Sequence, residues 1–280
     1  MRVKAIGPLV SVEWLYQNID AENIVVIDAT MRKITLQKNE IEDNNLQIKK
    51  ARFLDIKNVF SDTTSEYPNT MLPANTFEVE AQKLGINKDS AIVVYDSIGI
   101  YTSPRVWWMF KAMGHENIAV LNGGFPEWIR EKSPTEAIKQ FTGNKGSFTV
   151  NYNSNYFSNK LDVLNATYKG NIQILDARSL DRFNGNKKEP RKGLRSGHIS
   201  NSKNLYYNSL LVDGKMKAAN ELRSLFYEVT PKNNKLIFSC GSGITACILA
   251  LGAEISGFEK LSVYDGSWTE WGSSIELPIE

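Results

Sequence analysis

Lys235-Leu-Ile-Phe-Ser239 runs without a break into Cys240-Gly-Ser-Gly-Ile-Thr-Ala246 and then into Cys247-Ile-Leu-Ala-Leu-Gly252. The first piece is a short apolar run of strand length. The second is a glycine-containing loop, and the third is an apolar run that predicts a helix. A chain that leaves a buried strand and enters a helix this way offers unpaired N–H groups to the side chain at the strand end. Gly241 and Gly243 let the loop curl until successive N–H groups converge into an anion-binding nest. The side chain at that place is a thiol, and the positive field there favours the nucleophilic thiolate. Cys240 is therefore the candidate nucleophile. The amides of Gly241, Ser242, Gly243, Ile244 and Thr245 form the candidate cradle, to which the Ser242 and Thr245 hydroxyls could add donors.

A shift of 143 residues lays the chain on itself. Val94-Tyr-Asp-Ser97 then falls on Ile237-Phe-Ser-Cys240, and Gly114-His-Glu-Asn-Ile118 on Gly257-Phe-Glu-Lys-Leu261. Leu121-Asn-Gly-Gly-Phe-Pro-Glu-Trp128 falls on Tyr264-Asp-Gly-Ser-Trp-Thr-Glu-Trp271 without a gap. A further echo joins Ile24-Val-Val-Ile-Asp-Ala29 to Ile172-Gln-Ile-Leu-Asp-Ala177, with Asp28 and Asp176 expected to cap the turns that follow. Each half alternates short apolar strands with helix-length segments, which predicts an α/β fold: a mostly parallel sheet flanked by helices. The predicted organisation is a first domain over 1–143, a polar linker over 144–160 and a second domain over 161–280. At the place of Cys240 the first half carries Ser97, and Ile98, Ile100 and Tyr101 replace the glycine spacing. The second half is thus expected to be catalytic and the first to have lost both nucleophile and cradle.

Composition narrows the chemistry. The 280 residues are 42% hydrophobic and 23% charged, ordinary for a soluble globular chain able to bury a sizeable core. A net charge of +2 gives no electrostatic case for nucleic acid or an anionic membrane. No run approaches the roughly 18 apolar residues of a membrane span, and Met1–Val10 does not read as a secretory signal. The cysteines are Cys240 and Cys247 alone, which argues against a disulfide framework and for a reduced thiol in a reducing, cytoplasmic setting. Cys247 is expected in the core. No Cys/His cluster suggests a metal, and no cofactor is implied. His115 and His198, the only histidines, are expected to be structural, with His198 opening a strand.

The Cys240–Ala246 loop resembles that of the two-domain rhodanese-like sulfurtransferases, in the form found in the 3-mercaptopyruvate type. Ser103-Pro-Arg-Val-Trp-Trp108, Asp176-Ala-Arg-Ser179, Gly193-Leu-Arg-Ser-Gly-His-Ile199 and Asp265-Gly-Ser-Trp268 extend the similarity over nearly the whole chain. The resemblance implies tandem rhodanese-like domains with the active site in the second. It implies that Cys240 takes a sulfur atom from a donor as a persulfide and passes it to a thiol, such as that of thioredoxin, or to cyanide. It also implies that Arg182 and Arg191 bind the donor. A carboxylate-bearing donor suits paired arginines, whose planar forks bind it bidentately. One departure stands out: a first-domain segment that often reads Tyr-x-His-Met-Leu-Pro in the family is Tyr67-Pro-Asn-Thr-Met-Leu-Pro73 here, longer by one residue and without histidine.

Two other functions fit a cysteine loop less well. A cysteine phosphatase needs an arginine six residues beyond the nucleophile, where this chain has Ala246. A non-catalytic persulfide carrier or redox module has no use for paired arginines. Within the enzyme class the alternative donor is thiosulfate, whose users carry basic residues where this loop has Gly241 and Ser242.

Overall fold

The computed structural model describes residues 1–31 and 45–280. The chain divides into two compact units. Among the described residues the first contains strands β1 (Leu9–Val10), β2 (Ile24–Asp28), β3 (Arg52–Phe53), β4 (Ala91–Tyr95) and β5 (Ile118–Leu121). They lie side by side in the order β1-β5-β4-β2-β3, every pair parallel. The second unit holds β6 (Phe157–Ser158), β7 (Ile172–Asp176), β8 (Ser202–Asn204), β9 (Lys235–Ser239) and β10 (Leu261–Tyr264). Their order is β8-β7-β9-β10-β6, again parallel throughout. Read from the other edge, that is the order of the first sheet with each strand replaced by its counterpart. The self-similarity of the sequence is a duplicated topology.

Helices α1 (Val12–Asn18), α2 (Ala74–Lys83), α3 (Ser103–Ala112) and α4 (Gly124–Arg130) serve the first sheet. In the second unit, α5 (Lys160–Ala166), α6 (Leu180–Phe183), α7 (Ala219–Val229), α8 (Ala246–Ile255) and α9 (Ser267–Trp271) follow. Local chemistry sets several starts. Ser11 caps α1 through Trp14 N, and Asn159 and Asp162 form a reciprocal capping box on α5. The central strands β4 and β9 are buried along nearly their whole length, as a strand covered on both faces must be. Helix α8 is buried at eight of its ten residues, which explains its continuous apolar run. Trp107, Trp108, Trp128, Trp268 and Trp271 are all core residues.

Two boundaries differ from the 1–143, 144–160 and 161–280 expected from sequence. Residues 61–71 pack with the second unit although they lie early in the chain, and 213–215 pack with the first. The units part between Tyr152 and Asn153, inside the expected linker, which is structured on both sides of that point. Phe148 is buried, and Gly146 N, Phe148 N and Val150 N donate to Gln82 O, Ile86 O and Glu78 Oε2 of the first unit at 2.7–3.0 Å. Phe157–Ser158 already form an edge strand of the second sheet. Polar composition concealed a segment that buries Phe148 and pairs its amides with the first unit.

Candidate active site

Cys240 follows the last residue of β9, at the carboxyl end of the parallel sheet where such folds gather their ligands. It is 2% exposed. The loop to α8 is built by fixing its carbonyl groups. Cys240 O accepts from Trp268 N at 2.9 Å, and Gly241 O accepts from Thr269 N at 3.0 Å and Thr269 Oγ1 at 2.6 Å. Ser242 O accepts from Asn69 Nδ2 at 3.1 Å, and Gly243 O from Cys247 Sγ at 3.4 Å. Ile244 O and Thr245 O accept from the first turn of α8, each at 3.1 Å. In a trans peptide the N–H points opposite to the C=O of the preceding residue, and the described chain has no cis peptide. With the carbonyls of residues 240–245 engaged on the protein side, the N–H groups of 241, 242 and 244–246 are turned the other way, while that of Gly243 is taken by Ser267 Oγ at 3.1 Å. Gly243 makes this possible with φ +77, a conformation that side-chain-bearing residues rarely adopt.

The first unit shows what such a loop does with an anion. Its counterpart, 97–103, folds around the carboxylate of Asp96. Asp96 Oδ1 accepts from Ile98 N at 3.0 Å, and Oδ2 from the amides of Tyr101, Thr102 and Ser103 at 2.9 Å each. Those last three positions match Ile244, Thr245 and Ala246. The expectation that the first half had lost its cradle is therefore corrected. Despite the lost glycine spacing the amides still converge, but on the chain's own carboxylate. The second unit has Ser239 at the place of Asp96 and supplies no such internal anion.

Ser267 ties the two ends of the loop together. Its Oγ accepts from Cys240 N at 3.2 Å and Gly243 N at 3.1 Å, donates to Tyr264 O at 2.9 Å and lies 3.9 Å from Cys240 Sγ. It is fully buried with φ +48, a strained backbone that the surrounding bonds enforce. The Asp265-Gly-Ser-Trp268 motif pointed to this region, but spacing gave no hint that its serine reaches the thiol. We expect Ser267→Gly, which removes the hydroxyl while suiting that φ, to leave the melting temperature within a few degrees of wild type. It should lower turnover by about tenfold through loss of loop definition. Steady-state assay beside thermal denaturation checks both.

Arg182 and Arg191 converge on the same loop. A Cβ placed on Gly241 would lie 3.1 Å from Arg182 Nη2 and 3.9 Å from Arg191 Nη1. Gly241 is the space into which both guanidinium groups reach. Arg191 Nη2 also donates to Ser242 Oγ at 3.3 Å. Arg182 is aimed by Glu189, whose carboxylate accepts from its Nε at 3.1 Å and its Nη2 at 2.5 Å. Glu189 is shared with Arg178 Nη1 at 2.8 Å, and Arg178 in turn clasps Asp176 and stacks 4.2 Å over Trp268. Burial alone would lower the Arg178 pKa, but Asp176 and then Glu189 outweigh it and hold the guanidinium charged. The four charges Asp176, Arg178, Glu189 and Arg182 cancel, so this row adds no net charge beneath the loop.

Other expected roles resolve simply. Thr245 occupies the N-cap of α8 without a side-chain capping bond. Ile244 is buried beside it. Asp28 and Asp176 each accept the amide two residues on, at 2.9 Å, as turn caps. Cys247 lies in the core. His115 is buried with Nε2 on Ser90 O, and burial lowers its pKa. His198 does not open a strand. It stacks 3.7 Å from Phe183 and binds Phe183 O through Nδ1, and Ile199 next to it makes a single bridge to Ile279. Among the described residues, no group of histidine, cysteine and carboxylate side chains could hold a metal, and no helix is long and apolar enough to cross a membrane. The residues that sequence reasoning missed are Asn69, Arg178, Glu189 and Ser267.

Comparison with known proteins agrees with this architecture. The rhodanese-like domain family matches residues 11–131 and again 160–274. The chain is 35% identical over 276 residues to 3-mercaptopyruvate sulfurtransferase of Escherichia coli, covering 97% of each chain. It is 36% identical over 273 residues to thiosulfate sulfurtransferase of Rattus norvegicus, covering 94% of this chain and 91% of that one. The crystal structure of the Escherichia coli 3-mercaptopyruvate sulfotransferase SseA superimposes with a TM-score of 0.83 at 32% identity, over 94% of this chain and 99% of that one. Two parallel sheets of the same strand order, two matched domains and an amide-lined cysteine loop place this chain in the rhodanese-like family.

Proposed function

We propose that this chain is a sulfurtransferase that moves sulfur from 3-mercaptopyruvate, through a persulfide on Cys240, to an acceptor thiol or to cyanide. The observation that carries the donor assignment is the convergence of Arg182 and Arg191 on Gly241, next to the thiol. Overall identity does not choose between donors, since relatives named for either are equally similar. The residues of the loop do. Mercaptopyruvate brings a carboxylate and a keto oxygen, which two directed guanidinium groups suit. The neutral Gly241 and Ser242 leave room for them.

The step balances without an external redox partner. The Cys240 thiolate attacks the donor sulfur, forming the S–S bond as the donor C–S bond breaks. The bonding pair stays with carbon as the enolate of pyruvate, which takes up a proton at carbon. Arg182 and Arg191 bind the carboxylate and the oxygen on which charge develops, and the inward N–H groups stabilise the persulfide anion. An acceptor thiolate or cyanide then attacks the outer sulfur and releases the Cys240 thiolate. A small protein dithiol such as thioredoxin fits the second step, and a reduced active thiol fits a cytoplasmic setting.

Arg182→Ala and Arg191→Ala should each cost about 2–3 kcal/mol in kcat/KM for mercaptopyruvate and much less for thiosulfate. Steady-state kinetics with both donors measures this. Equal losses on the two would remove the carboxylate argument.

A further inference from the structure

We infer that Asn69 is a positioning residue that fixes the Ser242 hydroxyl as an obligate hydrogen-bond donor toward the oxygen of the leaving enolate. The inference rests on the donor reading above. Ser242 Oγ has one proton to give and two lone pairs. Asn69 Nδ2 lies 3.1 Å from it and Arg191 Nη2 3.3 Å from it. Neither nitrogen can accept a proton. Both lone pairs are thus engaged by donors, and the O–H must point in a third direction.

The orientation of the Asn69 amide is itself fixed. The same Nδ2 lies 3.1 Å from Ser242 O, which only accepts, so the oxygen end of the amide cannot face this side. The side chain is 8% exposed. Its backbone has φ +63, a conformation that asparagine tolerates better than most residues. The turn that carries it belongs to the same unit as the cysteine loop. Asp62 N donates to Thr70 O at 2.8 Å, Ser61 bridges Met71, and Met71 N donates to Asp265 Oδ2 at 2.7 Å, two residues before Ser267. Both ends of the contact are therefore anchored beside the thiol. An amide does not titrate, so the polarity of Ser242 does not change with pH on account of this partner. The direction of the amide toward Ser242 is therefore permanent.

The test compares Asn69→Ala with Asn69→Asp, each with Ser242 intact and with Ser242→Ala, using mercaptopyruvate as donor. Both substitutions lose the bond to Ser242 O. Only the carboxylate can accept the Ser242 proton and turn the hydroxyl away from the substrate. We expect Asn69→Ala to lower kcat by about tenfold and Asn69→Asp by on the order of a hundredfold, the scale of losing one preorganised donor. In the Ser242→Ala background the two should coincide within about threefold. Equal losses with Ser242 present would overturn the inference. So would a gap between the two that persists after Ser242 is removed, since it would reflect the added charge or the turn alone. Absence of a Cys240 persulfide in wild-type protein treated with mercaptopyruvate would instead overturn the donor reading, and this inference with it.

Discussion

Cys240→Ser is expected to abolish sulfur transfer, with a loss of at least about a thousandfold in turnover, while leaving the fold intact. A serine hydroxyl stays neutral where a thiol can ionise, and it cannot carry a sulfur atom as a persulfide. The structural cost is small. The side chain is buried at the end of β9, and the loop is held by its backbone: the carbonyl accepts from Trp268 N, and the amide donates to Ser267 Oγ. An exchange of sulfur for oxygen disturbs neither bond, so stability should change by about 1 kcal/mol or less. Assay with either donor, beside thermal denaturation, separates the two effects. Turnover near wild type would remove Cys240 from the mechanism.

Glu189→Ala should have the largest effect on stability of any single change near the site. The carboxylate is 2% exposed and accepts from both Arg178, itself fully buried, and Arg182. Its removal leaves a row of two cations facing only Asp176. Breaking a buried pair from one side costs about 3–5 kcal/mol. The lower end applies here, because Arg178 keeps its clasp on Asp176 and Arg182 is 21% exposed. Arg182 would also lose the partner that aims it at Gly241, so KM for mercaptopyruvate should rise along with the loss of stability. Denaturant titration gives the first number and steady-state kinetics the second. A stability loss below about 1 kcal/mol would mean that Glu189 does not organise the site as its contacts imply.

The fold was legible because it is local and repeated. Apolar runs such as Val93-Val-Tyr95 and Leu236-Ile-Phe238 mark central strands on hydrophobicity alone, and the offset of 143 residues pairs them. The Cys240 loop and its amides were legible for the same reason: strand, glycines and helix are contiguous. Asn69 was not, since it meets Ser242 across 173 residues, and no periodicity encodes that contact. It depends on the 61–71 turn joining the second unit, against the order of the chain. Glu189 sits in a segment with Lys187, Lys188 and Lys192 that reads as solvated surface. Its burial comes from Arg178 below it, a tertiary fact. The cradle of the first half is not legible in sequence, because Ile98, Ile100 and Tyr101 replace the glycine spacing. What matters is where the amides point, and Asp96 reveals that only through its contacts.

Intact-mass spectrometry of the protein after brief exposure to mercaptopyruvate, with no acceptor present, tests the central claim most directly. The expected result is a gain of one sulfur atom, mapped by digestion to the peptide bearing Cys240, removed by an added thiol and absent from Cys240→Ser. No gain, or a gain that survives the loss of Cys240 and maps to Cys247, would contradict a persulfide held in the 240–246 loop.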